Sequence, residues 1–173
     1  GSCIVTNGTL LGADGVSCLV DAGMRTVSVS IDGLEDTHDQ ARGEGTFHKA
    51  MRGITCAAVG GMDVVEAITC VRPANLHQLR EIEQAVKQAG ANLWRCITID
   101  RMGRLADTHD PEFWLDPPQV RALFDFIADR RRAQERLGLP KDVSFSCGGF
   151  LGLAREDTIR PAHNQCSAGL VVG

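Results

Sequence analysis

Ser30 and Asp32 close the run Val27-Ser28-Val29-Ser30-Ile31-Asp32-Gly33. In an extended chain, residues two apart share a face. A hydroxyl and a carboxylate therefore look the same way where a strand gives out into a turn. Such a pair can bind sugar hydroxyls or an amino group. It also has a plain structural reading, with Asp32-Gly33 as a turn and Ser30 as a tolerated core hydroxyl. Polar residues crowd the stretch that follows, Thr37-His38-Asp39 and Arg42-Gly43-Glu44-Gly45-Thr46-Phe47.

Other chemistry-bearing residues are scattered. The arginines of Asp100-Arg101-Met102-Gly103-Arg104 can face an anionic group, because guanidinium suits bidentate contact with carboxylates. His38, His109 and His163 lie far apart and have no metal-ligand spacing. The seven cysteines include no CxxC pair, which argues against a zinc knuckle. A disulfide framework is not expected in a chain of this kind, and Cys18, Cys56, Cys70 and Cys96 read as small buried hydrophobes. Net charge is −4, and the only basic cluster, Arg130-Arg131-Arg132, reads as a solvated helix face. A nucleic-acid footprint is not supported. No apolar run approaches the roughly 20 residues that span a bilayer, and no signal-peptide pattern opens the chain. The sequence reads as cytosolic and soluble.

The elements that must position these residues alternate. Ile4-Val5-Thr6 leads to a helical pattern at 15–22 that closes on Gly23. Residues 26–31 read as a strand ending at Asp32-Gly33. After a polar loop, a helical pattern from Phe47 to Val59 stops at Gly60-Gly61. A strand is expected over 64–71, then a helix with Leu76, Leu79, Ile82, Ala85 and Val86 on one face, stopping at Gly90. A strand at 93–99 precedes a long loop, residues 100–115. Asp116-Pro117-Pro118 starts a helix, Pro being tolerated in the first turn, and it runs to about Leu137. Residues 142–146 make a fifth strand. Alternating strands and helices predict an α/β fold, a parallel sheet with helices outside it. Long polar loops after the strands and short glycine-capped ones after the helices place chemistry at the strands' carboxyl ends. Four or five such repeats make a partial barrel.

Taken in order, Thr6-Asn7-Gly8-Thr9-Leu10-Leu11, the Ser30-Ile31-Asp32-Gly33 run, His38-Asp39, Arg42-Gly43 and Gly45-Thr46-Phe47 resemble radical S-adenosylmethionine enzymes with a SPASM-type extension, of the peptide-maturase kind. Thr69-Cys70-Val71-Arg72-Pro73-Ala74-Asn75 and Asp100-Arg101-Met102-Gly103-Arg104 continue the likeness, which spans roughly Thr6 to Gly169. It implies a partial (β/α) barrel of the radical S-adenosylmethionine type. Residues 1–146 would hold its strands three to seven, and 147–173 the start of the auxiliary-cluster region. It also implies that Ser30 and Asp32 contact S-adenosylmethionine, with Asn7 and Arg42 as further cofactor-binding candidates. Arg42 would serve the cofactor's carboxylate or the loop itself. Cys166, in the Cys166-Ser167-Ala168-Gly169 opening, and Cys147 are implied as ligands of an auxiliary iron–sulfur cluster whose remaining ligands lie beyond the chain.

The family's CxxxCxxC loop and the glycine-rich second-strand motif are not found in these 173 residues, and Cys3 does not replace them. The expectation is a fragment of an enzyme that cleaves S-adenosylmethionine to a deoxyadenosyl radical and modifies a peptide or protein. The fragment itself is expected to be inactive. Two other readings stand beside this one. One is a degenerate, non-catalytic barrel module that binds a peptide or partner along an exposed strand edge. The other is an unrelated β/α-barrel enzyme working through carboxylates and His38, His109 and His163.

Overall fold

A computed structural model describes residues 3–99, 105, 107, 108, 110–146, 151 and 153–160. The order of elements is β1 (Cys3–Thr6), α1 (Ala13–Asp21), β2 (Thr26–Ser30), α2 (Glu35–Arg42), α3 (Thr46–Val59), β3 (Val64–Cys70), a 3-10 turn (Leu76–Gln78), α4 (Leu79–Gln88), β4 (Leu93–Ile97), α5 (Pro117–Arg136), β5 (Val143–Phe145) and α6 (Leu153–Ile159). The five strands form one sheet in the order β1-β2-β3-β4-β5. Neighbours in space are neighbours in sequence, and β1–β2 and β2–β3 pair in parallel. This is a partial (β/α) barrel, as the alternation of patterns predicts. The chain divides into two compact units, Gly1–Cys70 with His77–Trp94, and Val71–Leu76 with Arg95–Gly173.

In the first unit, strand alternation sorts the side chains of β2 cleanly. Val27, Val29 and Ile31 are fully buried, each worth about 1.5–3 kcal/mol in transfer from water. The alternate positions Ser28, Ser30 and Asp32 carry polar groups on the other face. Helix α3 packs on β2 and β3 through Ala50, Gly53, Ile54 and Ala57, an i, i+3, i+4, i+7 stripe. Its contact with the turn after β1 is unusually close. A Cβ on Gly53 would lie 2.7 Å from the Gly8 carbonyl oxygen, and a Cβ on Gly8 would lie 2.7 Å from Val29 Cγ1. Gly8 also has φ +73°, a left-handed conformation that glycine adopts without steric cost.

The polar loop expected at 34–46 is mostly helix. Its α2 carries no apolar stripe for a periodicity argument to find, and His38 is its one buried residue. End charges favour the helix: Glu35 and Asp36 lie in the first turn and Arg42 in the last, complementing the helix dipole.

In the second unit, α5 begins as the sequence predicts. Asp116 accepts from the Gln119 amide, and the Gln119 side chain accepts from the Asp116 amide, a complete capping box. Arg131, buried on α5, donates to the Val143 carbonyl of β5. Helix α6 was not expected. Its Glu156 pairs with Arg160 at 2.9 Å, both buried.

Candidate functional site

The carboxyl end of β2 is held by a set of bonds centred on Asp32, which is 6% exposed. One carboxylate oxygen accepts the Cys70 amide at 2.9 Å. The other accepts Arg42 Nε at 2.6 Å. The Asp32 amide donates to His38 Nδ1 at 3.0 Å. Asp32 thereby ties the end of β2 to the end of β3 and to both turns of α2. Arg42 takes up the loop role allowed for it, but only through Nε. Its side chain is 31% exposed, and its two terminal nitrogens have no hydrogen-bond partner among the described residues. They leave four N–H donors in the planar fork that suits a carboxylate.

Ser30, two residues before Asp32 on the same face, is half-exposed. Its hydroxyl has no hydrogen-bond partner among the described residues. Deeper on that face the polar groups are paired: the Ser28 hydroxyl donates to Glu66 Oε2 at 2.6 Å, and Cys3 Sγ lies 3.6 Å from Ser28 Oγ. Exposed Asn7 spends its side-chain oxygen on its own turn, accepting from the amide and hydroxyl of Thr9 at 3.2 and 3.0 Å. Its side-chain NH2 group has no hydrogen-bond partner among the described residues.

The rest of the motif is bracing. His38 is fully buried, with the Phe47 ring edge-on at 5.7 Å. Burial, the largest influence, pushes its pKa below the ordinary imidazole value, and nearby Asp32 partly opposes this. Because Nδ1 accepts, the neutral ring carries its proton on Nε2. Asp39 caps α3 by accepting from the amides of Phe47 and Gly45 at 2.8 and 2.6 Å. These bonds, that to Phe47 foremost, hold its carboxyl below the usual range. Gln78 escaped the sequence reading. Its side chain receives the Leu34 amide and donates to the Thr37 hydroxyl, pinning the start of α2 from more than 40 residues away, and no local pattern announces it. Asn75, fully buried, accepts the Arg72 amide at 2.8 Å, so the end of the Thr69–Asn75 motif is a capped turn.

Cys147, Cys166, the arginines Arg101 and Arg104, His109 and His163 lie outside the described residues. Among the described residues no group of three or more His, Cys, Asp or Glu could hold a metal ion, and no helix is long and apolar enough to cross a membrane. The open Arg42 fork suits a ligand carboxylate, and the Ser30 hydroxyl suits hydroxyl or amine groups.

No family model matches the sequence. Among curated proteins, the chain is 32% identical over 107 residues to an AdoMet-dependent heme synthase of Oleidesulfovibrio alaskensis, covering 60% of this chain and 27% of that protein. It is 29% identical over 105 residues to the sporulation killing factor maturation protein SkfB of Bacillus subtilis, covering 60% and 25%. It is 27% identical over 166 residues to an Fe-coproporphyrin III synthase of Methanosarcina barkeri, covering 92% and 41%. The chain thus spans between a quarter and two-fifths of the length of these relatives. Among solved structures, anSMEcpe with bound AdoMet superposes with a TM-score of 0.68 at 16% identity, over 82% of this chain and 39% of that one. By sequence and by fold, the chain is a relative of the radical S-adenosylmethionine enzymes.

Proposed function

We propose that the chain is part of a radical S-adenosylmethionine enzyme that modifies a peptide or protein. Ser30, Asp32, Arg42 and Asn7 contact the cofactor, and Asp32 also orients Arg42. The observation that carries this reading is the pairing of an unengaged Ser30 hydroxyl with an Arg42 fork. That fork is fixed at one nitrogen by Asp32 and open at the other two. S-adenosylmethionine offers a carboxylate, an amine and ribose hydroxyls, which match these donors and acceptors. When bound beside a reduced iron–sulfur cluster, it supplies a radical able to abstract hydrogen.

This chain's own share is positioning. Asp32 fixes the Arg42 side chain so that little rotamer entropy is lost on binding, and buried His38 braces the Asp32 amide through Nδ1. Cys166 and Cys147 are assigned to an auxiliary cluster in the longer protein, and residues 147–173 to the start of a SPASM-like region after the barrel portion, 1–146. A peptide substrate is supported by the likeness to a maturation protein.

Calorimetry with S-adenosylmethionine tests the site. Arg42→Ala should weaken binding about tenfold or more, since a charge-assisted hydrogen bond contributes about 1.5–3 kcal/mol; Ser30→Ala should weaken it severalfold. Unchanged affinity in both variants would remove these residues from the cofactor.

A further inference from the structure

The second unit holds an apolar cavity of about 320 Å³. Val71, just past β3, Thr98 and Ile99, just past β4, and Phe145, the last residue of β5, supply one part of its wall. Phe124 of α5 and Trp114 supply the aromatic part. The lining residues of β3, β4 and β5 thus sit at or just past the carboxyl ends of their strands, the end of a parallel sheet at which α/β proteins bind ligands.

From this we infer that the cavity is a specificity pocket that takes one uncharged, apolar or aromatic side chain of the peptide substrate. The inference rests on the peptide reading given above.

Three features set the class of occupant. First, among the described residues the lining carries no charged side chain, and its one hydroxyl is that of Thr98. Burying a carboxylate or ammonium there without a partner is prohibitively costly. Second, the volume lies at the low end of the roughly 300–1,000 Å³ of small-molecule pockets, matching a single ring or branched aliphatic group. A tetrapyrrole with its carboxylates is larger than this cavity. Third, the wall is preformed. Phe124 and Phe145 are buried and meet edge-to-face at 5.0 Å, and the Arg155 guanidinium lies 5.4 Å from the Phe124 ring centre. Helix α5 is itself anchored by its capping box. A rigid apolar wall selects by shape, and its occupant pays little to organise it.

Saturation-transfer NMR on the intact chain tests this with acetyl-Gly-Phe-Gly-amide, acetyl-Gly-Asp-Gly-amide and coproporphyrin III as probes. The phenylalanine peptide should receive saturation at its ring protons in a saturable manner and bind at least about tenfold more tightly than the aspartate peptide, as expected for burying one aromatic side chain. Val120→Trp, which fills the cavity from a half-buried position, should weaken the phenylalanine peptide about tenfold. Thr98→Arg, which places a charge in the wall, should do the same and guards against misfolding of the first variant. Equal binding of the two peptides overturns the inference. So does phenylalanine binding unaffected by either substitution, or complete displacement of that peptide by coproporphyrin III. S-adenosylmethionine binding to the same samples separates the two proposals. If it remains sensitive to Arg42→Ala while the peptides fail, the pocket alone is refuted; if it too is lost as a property, the cofactor reading falls with it.

Discussion

At Asp32 one carboxylate serves two neighbours of unequal worth. The Cys70 amide bonds to it in a part-buried position, and a backbone donor left without its partner there costs up to about 1–3 kcal/mol. The Arg42 contact is partly solvated, and such a pair contributes at most about 1 kcal/mol. Asp32→Ala should therefore destabilise the chain by more than Arg42→Ala, by about 1–3 kcal/mol in urea unfolding, although both break the same ion pair. If the two variants unfold alike, the Cys70 bond is not what holds the strand ends together. His38 gives a second prediction at this scale. Its folded pKa lies below the ordinary 6.5, so at higher pH both states are neutral and its contribution is complete. As pH falls below 6.5 the unfolded imidazole takes up a proton that the folded one resists, and stability declines toward the lowered folded value. Urea midpoints from pH 8 to pH 5 should show this decline. His38→Gln, which keeps an acceptor for the Asp32 amide without the titration, should flatten it.

At the scale of elements, glycine decides whether the turn after β1 can meet α3. Gly8→Ala would strain a φ of +73° and set a methyl 2.7 Å from Val29 Cγ1. The expected loss is about 1–3 kcal/mol, read from thermal unfolding, and Gly23→Ala serves as a comparison, since it too has positive φ but nothing within 4 Å. The Asn7-Gly8 pair shows why sequence alone gave a mixed account. It was legible as a motif, but a motif does not disclose whether its asparagine serves a ligand or a turn, and here the oxygen serves Thr9. Strands and apolar helices were legible because burial imposes a period, 2 in β2 and 3.6 in α3. Helix α2 was not legible, because it is held by end charges and by Gln78 from across the unit, and neither leaves a period. The Asp116 cap was legible because it is local; Asp116→Ala should cost about 1 kcal/mol.

At the scale of the molecule, the proposed function assigns cofactor binding and radical chemistry to different parts of a longer protein. Ser30, Asp32 and Arg42 lie in the first unit, whereas the sequence holds no CxxxCxxC to ligate the cluster that reduces S-adenosylmethionine. The chain spans 41% or less of its curated relatives. The two activities should therefore separate. Reconstituted anaerobically with iron and sulfide, the 173 residues should bind S-adenosylmethionine with an affinity that depends on Arg42, and release no deoxyadenosine or methionine. A longer form that includes a CxxxCxxC segment should cleave the cofactor. In it Arg42→Ala should raise the KM for S-adenosylmethionine more than it lowers kcat, because a residue that grips the cofactor's carboxylate acts on ground and transition states alike. Chromatography of the quenched reactions measures both. Cleavage by the short chain would show that the cluster is held by ligands other than the expected triad. A kcat effect with unchanged KM would move Arg42 from binding the cofactor to shaping the reaction itself.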